Sequence, residues 1–511
     1  MTNLRALLVT AVLLAVVPGQ APAQTPPAAA RPTLELTMDA AVAMALESNL
    51  GLQADRLDID NADHAIASAR SAFLPQVGAA LTRSSVVSVP NDFTQGSSDI
   101  TSRGAVVNAS FAQALPHLGT SYNLAWNNNR TSQIGGNPLF NPYLRSAFSI
   151  NVTQPLWRGL RTDQARNALT TSHRRRRVTD LQVEQQRVRL EAAVRVAYLD
   201  LISAREGLRV AQQNMDIRQA TLADARARVR VGAAAPIDLI TAEADVAANQ
   251  EQVLVAEALI GTREDALRTL IFDPARPDYW LVQINASTPA LSEPRGIDVD
   301  AAVQNAVANR LDLIAARQEL EISDLNLRVA EDAIKPTVNL LANYSTSGTG
   351  GTRFLYGEGF PPSVEGRTDR RYTSVLGDTF GAAYPQWSLG VNVAYPLGRS
   401  AQDANLAQQQ VGQRQARLSI HQLEIAIVQQ IREAARQVQS SYQRVLVTRA
   451  ALAASEQQLD AEQRRFAAGL ATTLELQVRQ SQLSTARTAE LNAAIAYNRA
   501  LIDFERLQQT Q

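Results

Sequence analysis

The chain contains no cysteine among its 511 residues. This absence excludes disulfide bonds, thiolate metal sites and thiol catalysis, and it leaves no cysteine to carry a lipid anchor. Histidine and methionine are also scarce, with four of each, and the histidines show none of the spacings found in helical zinc sites. No nucleophile elbow or phosphate-binding loop occurs in the sequence. We therefore expect no enzymatic activity, no cofactor and no metal, and a hydrolytic periplasmic enzyme is the weakest alternative.

Neither sign of charge dominates, because 49 Lys and Arg residues balance 49 Asp and Glu residues. A chain without a basic excess has no electrostatic reason to bind nucleic acid. Long hydrophobic runs are also missing, since nothing after the N-terminus approaches the 18 or more apolar residues that a membrane-spanning helix requires. We therefore expect no nucleic-acid partner, and any attachment to a membrane has to come from the fold itself.

The first 23 residues have the pattern of a secretory signal peptide. Arg5 supplies the positive charge, residues 6–17 form a short apolar core, and residues 21–23 match a small-residue cleavage site. We expect cleavage between Ala23 and Gln24, so the exported mature protein is expected to begin at Gln24.

Proline is absent between Pro155 and Pro236 and again after Pro396. Both proline-free stretches carry apolar residues every seven positions, which is the pattern of a coiled-coil seam. A helix of about 70 residues, at about 1.5 Å per residue, is about 105 Å long and cannot belong to a compact globule. The seam positions are Val194, Leu201, Leu208, Met215, Leu222 and Val229 in the first stretch, and Ile431, Val438, Val445, Leu452, Leu459 and Phe466 in the second.

The two long helices belong to a tandem duplication. The turn at residues 231–238 recurs at residues 468–475, and the same offset relates the two seams. Short helices near the start of each half are repeated as well, since residues 38–42 are similar to residues 299–303. One repeat therefore consists of short helices, strands, a long helix and a return helix.

Strands are predicted in residues 76–157 and 337–396, where apolar and polar side chains alternate. An apolar face of this kind packs on a second sheet in a soluble sandwich, but it faces lipid in an outer-membrane barrel. Most of the Phe, Tyr and Trp residues fall in these two regions. Because aromatic girdles mark membrane interfaces, this distribution favours the barrel.

The two strand regions differ in length. Gly, Ser, Asp and Thr are frequent at residues 84–103 and 345–385, which predicts long external loops. The first region contains one more candidate hairpin, made of residues 106–114 and 120–128. The sequence leaves open whether this hairpin joins a barrel.

These features divide the chain into eight segments. They are a signal peptide (1–23), a linker with the first short helices (24–75), the first strands and external loops (76–157), the first long helix, tip and return helix (158–272), an irregular equatorial connector (273–296), the second short helices (297–336), the second strands and loops (337–396), and the second long helix, tip and return helix (397–511).

Several short motifs, in this order, resemble those of the TolC-type outer-membrane channels, which are the outer membrane factors of efflux and secretion systems. They cover almost all of the mature chain. The motifs are Leu36-Thr37-Met38-Asp39-Ala40-Ala41, Leu74-Pro75-Gln76, Gln154-Pro155-Leu156, Ala197-Tyr198-Leu199-Asp200-Leu201, Tyr395-Pro396-Leu397-Gly398 and the two Gly-containing turns.

The resemblance implies a mixed α and β membrane protein, in which a homotrimer builds one β-barrel in outer-membrane lipid. Long helices would continue it as a hollow α-barrel through the periplasm, with an equatorial domain around the connector. Such a channel is passive, and works with a periplasmic adaptor and an inner-membrane transporter. It would serve a tripartite efflux pump for small molecules, or alternatively type I protein secretion. A soluble periplasmic coiled-coil scaffold is the alternative from another class.

The two turns are the candidate functional sites. Glycine is preferred where a helix ends, which explains Gly232 and Gly469 locally. In channels of this family the matching turns form the tip that docks the adaptor. The resemblance therefore implies docking residues at Val231, Gly232, Ala233, Gly469, Leu470 and Ala471.

Asp238 and Glu475 occupy equivalent positions at the start of the return helices. A carboxylate at a helix N-terminus caps it and interacts favourably with its dipole. In a trimer these residues would also form an acidic ring at the periplasmic gate, where mutual repulsion raises some of their pKa values and cations are attracted. Some relatives carry an Arg and a further acid where this chain has Ala471 and Val478, so a salt-bridge lock of that kind is not expected.

Four consecutive arginines, at positions 174–177, follow the first strand region. Four neighbouring helical residues point in all directions, which is typical of a solvated segment. The alternative is that they contact phosphate groups at the inner face of the membrane.

Overall fold

The structure is a computed structural model that describes residues 33–90, 99–273, 275, 279–287, 295–359, 363–395, 397–398 and 400–508. The expected signal peptide and its cleavage site at Ala23 and Gln24 lie outside the described residues. The elements of the first half are β1 (Thr33–Leu36), α1 (Met38–Ser48), α2 (Leu50–Ser71), β2 (Gln76–Ser88), β3 (Ile100–Ala114), β4 (Ser121–Ile134), β5 (Phe140–Pro155), α3 (Gln164–Arg230) and α4 (Pro236–Ile271). They are followed by β6 (Gln283–Ala286), α5 (Val299–Asn309), α6 (Leu311–Ala333), β7 (Thr337–Tyr356), β8 (Val364–Arg370), α7 (Tyr372–Phe380), β9 (Pro385–Ala394), α8 (Ala401–Ala467) and α9 (Thr473–Gln508).

Two long helical hairpins, α3 with α4 and α8 with α9, are the largest units of the structure. Their seams are buried, as the heptads predict: Val194 and Leu201 in α3 and Ile431 and Val438 in α8 are almost fully shielded from solvent. Each buried cluster extends onto the short helix of its own half, α1 or α5. The duplication therefore produces two equivalent helical cores.

The long strands form one antiparallel sheet in the order β2-β3-β4-β5-β7, in which β9 pairs with the first half of β7 and the short β8 with its last residues. The hairpin whose place the sequence leaves open is β3 and β4, and it lies inside this sheet between β2 and β5. Six long strands therefore lie side by side, four from the first half and two from the second.

The two faces of this sheet differ sharply in polarity. Two neighbouring rows of paired residues cross all six strands. The first row, on one face, is Val77, Phe111, Leu124, Ile150, Tyr344 and Trp387. The second row, on the other face, is Gln76, Ala112, Asn123, Asn151, Asn343 and Ser388. The sheet thus separates an apolar side from a polar side.

The two expected external loops are shorter than predicted, and this part of the prediction is wrong. Strand β2 continues to Ser88 and β3 begins at Ile100, while residues 345–385 contain the end of β7, all of β8 and the helix α7. Glycines make this packing possible, because a Cβ at Gly348 would lie 2.2 Å from the Val375 carbonyl oxygen of α7. The Gly-rich composition that suggested a loop instead lets a helix lie on a strand.

The expected irregular connector also contains regular structure. Its strand β6 pairs in parallel with β1, which the sequence analysis did not predict. No second sheet packs on the large sheet among the described strands, so the sandwich inserts of the scaffold alternative are not observed. None of the helices in the described ranges combines the length and apolarity needed to cross a membrane.

Candidate functional site

The two predicted turns lie at the ends of the helical hairpins and have the same backbone geometry. Gly232 has φ +75° and Gly469 has φ +74°, in the left-handed region that favours glycine. The N–H groups that follow close each helix: Ala233 donates to the Arg228 carbonyl at 2.8 Å, and Leu470 donates to the Arg465 carbonyl at 2.8 Å. The two tips are therefore built in the same way.

Apolar side chains are exposed at both tips. Val231 is 76% exposed and Leu470 is 72% exposed, and Ile237 and Leu474 in the first turns of the return helices are similarly open. Ala233 is exposed and Ala471 is half-buried. Clustered apolar side chains that face solvent at the end of a long hairpin form a surface suited to protein contacts.

Glu475 caps α9 through a reciprocal pair of hydrogen bonds. The Thr472 N–H donates to Glu475 Oε2 at 2.6 Å, and the Glu475 N–H donates to Thr472 Oγ1 at 3.2 Å. Donation by the Thr472 backbone and hydroxyl groups lowers the pKa of Glu475 below its usual value. Within one chain this effect opposes the rise in pKa that we expect from repulsion in an acidic ring.

Asp238 holds the equivalent place in the first tip, but its cap is simpler. The Ala235 N–H donates to Asp238 Oδ2 at 3.2 Å, and Ala235 has no side-chain oxygen to return the bond. Pro236 is the first residue of the helix, as its fixed φ favours. Asp238 is half-buried whereas Glu475 is exposed, so the two carboxylates have different surroundings.

A set of contacts between the two hairpins was not found by the sequence analysis. The Arg228 guanidinium lies 4.1 Å from the centre of the Phe466 ring. Asp245 of the first hairpin accepts hydrogen bonds from Gln477 of the second at 3.2 Å and from Arg218 at 3.4 Å. The bond from Arg218 lies within the first hairpin, and the contacts of Arg228 with Phe466 and of Asp245 with Gln477 join the two hairpins. They link the hairpins near the tips, where Ala471 and Val478 provide no salt bridge.

Two further polar contacts lie deeper along the same helices. Asn214 donates to Ser484 at 2.6 Å, and Gln480 donates to Thr221 at 3.3 Å. Asn214 and Gln480 are buried. An unpaired buried amide is costly, so each of these amides needs a partner. Neither lies at a seam position, so the heptad pattern does not predict its burial.

The four arginines at 174–177 divide into two pairs. Arg174 forms an ion pair with Glu321 of α6, and Arg176 forms one with Asp63 of α2 at 2.9 Å. Arg175 and Arg177 are exposed. Two of the four therefore join neighbouring helices, and contact with membrane phosphate stays a prediction for the other two.

The described residues contain no group of three or more side chains that could hold a metal ion. The polar row across the sheet and the exposed tips suggest a conduit and a docking surface.

Comparison with known proteins gives the family. The family model described as outer membrane efflux protein matches residues 91–271 and 302–508. The chain belongs to this family. Efflux proteins of this family are channels rather than enzymes, so the expectation that the chain has no enzymatic activity is confirmed.

Relatives of this efflux protein are distant. The pyoverdine export outer membrane protein OpmQ of Pseudomonas putida is 28% identical over 218 residues, which are 42% of this chain and 42% of OpmQ. Among solved structures, the Campylobacter jejuni outer membrane channel CmeC has a TM-score of 0.65 at 15% identity, covering 92% of this chain and 85% of CmeC. The Vibrio cholerae outer membrane protein VceC has a TM-score of 0.65 at 14% identity, covering 92% and 95%. This efflux protein thus has the mixed α and β fold of outer-membrane channels.

Proposed function

We propose that the protein is the passive exit channel of a tripartite efflux pump, and that it acts as a homotrimer. The large sheet contributes to a barrel in outer-membrane lipid, and the long hairpins extend into the periplasm. A periplasmic adaptor binds the tips, and an inner-membrane transporter supplies the energy. The channel itself needs no cofactor.

The observation that carries this proposal is the pair of neighbouring rows across six strands. One row is apolar from Val77 to Trp387, and the next is polar from Gln76 to Ser388. A sheet with these faces suits a wall between lipid and water. A soluble scaffold would have to cover the apolar row, and no described sheet covers it.

The tips support the adaptor as partner. Both present exposed apolar residues, including Val231 and Leu470, on glycine-containing turns that backbone hydrogen bonds close. A turn that is already ordered loses little conformational entropy when a partner binds. Gly232, Ala233, Gly469 and Ala471 set the shape of the same surfaces.

Small molecules are the cargo that we propose. The reason is the similarity to OpmQ, whose name describes the export of pyoverdine, although the match covers only 42% of that protein. No structural feature of the described residues favours a polypeptide cargo over a small molecule.

The test is single-channel conductance of the detergent-purified mature protein, residues 24–511, in a planar bilayer. We expect discrete channels that prefer cations, and a weaker preference in Asp238→Asn and Glu475→Gln. The control is Glu365→Gln in β8, at the opposite end of the molecule, which should keep the preference of the wild type. A protein that stays in solution without detergent and conducts nothing would contradict the proposal.

A further inference from the structure

The large sheet has two open edges. In the part of the sheet that the structure describes, β2 pairs only with β3, and β9 pairs only with β7. The outer side of each edge therefore carries unpaired backbone N–H and C=O groups, over 13 residues in β2 and 10 residues in β9. Lipid offers these groups no hydrogen bonds, so neither edge is stable there alone.

Neither edge has the features that normally block strand addition. Proline occurs only at the first residue of β9, and Arg83 is the single charged residue in the two strands. Apolar side chains of both strands are exposed, such as Val77 at 80% and Trp387 at 77%. Both edges are therefore open to a further strand.

The tilt of the strands follows from the register. The row of paired residues starts at Gln76, the first residue of β2, and ends at Ser388, which lies six residues before the end of β9 at Ala394. Relative to the strand ends, the row therefore climbs by six residues over five steps from strand to strand. With about 3.3 Å per residue and about 4.8 Å between strands, this climb corresponds to a strand tilt of about 40°. Closed membrane barrels have strand tilts of about 35–45°.

The width of the sheet matches the width of the helical layer. At a tilt of about 40°, six strands occupy an arc of about 38 Å. Each chain supplies four helices side by side near the tips, namely α3, α4, α8 and α9. At interaxial distances of about 9–10 Å, four helices occupy about 36–40 Å. The six strands and the four helices of one chain therefore occupy arcs of similar width.

We propose that β2 of one copy pairs with β9 of the next, so that three copies close a barrel of 18 strands. The two strands run in opposite directions, because the strands alternate in direction across the sheet. The contact joins two different edges head to tail, which closes into a ring. The barrel has a backbone diameter of about 36 Å, in the size class that leaves an aqueous channel. This inference rests on the trimeric channel proposed above.

The absence of cysteine allows a direct test by disulfide trapping. Extending the climb of the rows by one strand puts Asn392 beside Ala80 of the next copy, with both side chains on the polar face. Asn392→Cys is combined with Ala80→Cys, and in a second variant with Thr82→Cys to cover a shift of register. Oxidation of purified channels should convert most of the protein to covalent trimers on a non-reducing gel, and each single-cysteine variant should remain monomeric.

A second pair tests whether the hairpin is part of the barrel wall. Ala125 of β4 and Ser149 of β5 lie opposite each other. In the variant Ala125→Cys with Ser149→Cys, both thiols should become inaccessible to alkylation after oxidation of the inserted channel, without forming a larger species.

The outcomes separate this inference from the proposed function. Channels that conduct while the Ala125→Cys and Ser149→Cys thiols stay reactive, or while both β2–β9 pairs stay unlinked, overturn the 18-stranded barrel and leave the channel in place. Covalent trimers from a protein that never conducts support the barrel and count against the channel function.

Discussion

The two halves of the chain have nearly equal repeated helices but unequal strand regions. Helices α3 and α8 both have 67 residues, α4 and α9 both have 36, and α1 and α5 both have 11. The first half contributes four strands to the large sheet, whereas the second contributes β7 and β9, with β8 and the helix α7 beyond them. The two halves thus retain matching helices but contribute different numbers of strands to the sheet.

The difference follows from what each region has to reach. Both hairpins run from the sheet to a tip, so a change in the length of one would move its tip relative to the other. A sheet can instead gain two antiparallel strands together, because a hairpin brings the chain back to the end of the sheet from which it started. The length of each long helix therefore has to match that of its counterpart in the other half. The number of strands can differ between the halves, provided that strands are added in pairs.

The largest effect should come from making the hairpins unequal. Deleting residues 452–458 and 482–488 removes one heptad from each arm of the second hairpin and keeps the phase of the seam. The second tip then lies about 10 Å short of the first. We expect loss of detergent-stable oligomers and of conductance. Deleting residues 215–221 and 245–251 as well makes the tips level again and should restore oligomers, and wild-type behaviour of the unequal variant would refute the constraint.

The next largest effect concerns α7, which only the second half contains. In Gly348→Ala the new Cβ would lie 2.2 Å from the Val375 carbonyl oxygen, and the helix has to move away. We expect a loss of about 1–3 kcal/mol in stability, as for other overpacked sites. The measurement is thermal dissociation of the purified protein. Gly377→Ala in α7 is the matched control, because a Cβ at Gly377 meets nothing within 4 Å, and equal losses in both variants would argue against this packing.

A smaller effect is expected where the two halves touch near the tips. Arg228→Gln removes the guanidinium that lies 4.1 Å from the Phe466 ring. Such a contact contributes about 0.5–1 kcal/mol at an exposed site, so the ratio of open to closed channels should rise about two- to fivefold. Open probability in a planar bilayer measures this. In the control Arg226→Gln the lost partner is Glu243, at 3.0 Å within the first hairpin, and gating should not change.

The smallest effect is expected from exchanging the caps of the two tips. Thr472→Ala gives the second tip the simpler cap of the first, and Ala235→Thr does the reverse. We expect amide protection in the first turn of α9 to fall about fivefold, and protection in α4 to rise. Hydrogen exchange at the tips measures both. Unchanged protection in both variants would mean that the caps do not determine the stability of the first helical turns.

The pH dependence of this cap has a defined sign. The folded-state pKa of Glu475 is lowered, so its stabilising interaction is fully present above the usual carboxyl pKa. It is lost only as the pH falls through the lowered value. Protection factors in the first turn of α9 should therefore be constant from neutral pH down to the usual carboxyl pKa, and should decrease as the pH falls further.

The helical part of the fold was predictable because its signals are long and repeated. The heptads place Val194 and Ile431 on buried faces, and the repeated turns locate Gly232 and Gly469 at helix ends. The candidate carboxylates Asp238 and Glu475 followed from capping rules that depend on a few neighbouring residues. Local periodicity was sufficient for these features.

What was missed depends on contacts between distant segments. From the sequence alone, the glycines of β7 indicate a loop. In the structure they leave room for Val375 of α7, which packs where their Cβ atoms would lie. The membership of β3 and β4 in the sheet depends on register with β2 and β5, which no local pattern reveals. The contact between Arg228 and Phe466 joins two helices from different repeats, so neither heptad pattern contains it.

The small sheet of β1 and β6 has a consequence for the order in which the protein folds. The side chain of Asn285 in β6 donates a hydrogen bond to Glu35 of β1, 250 positions earlier. Tyr198 of α3 donates a hydrogen bond to the Leu36 carbonyl at 2.8 Å. Strand β1 therefore has no partner strand until more than half of the chain has been synthesised. Contacts so distant in sequence form late, because the cost of closing a large loop comes first. The first half of the protein therefore completes its fold only after the connector between the two halves has been synthesised.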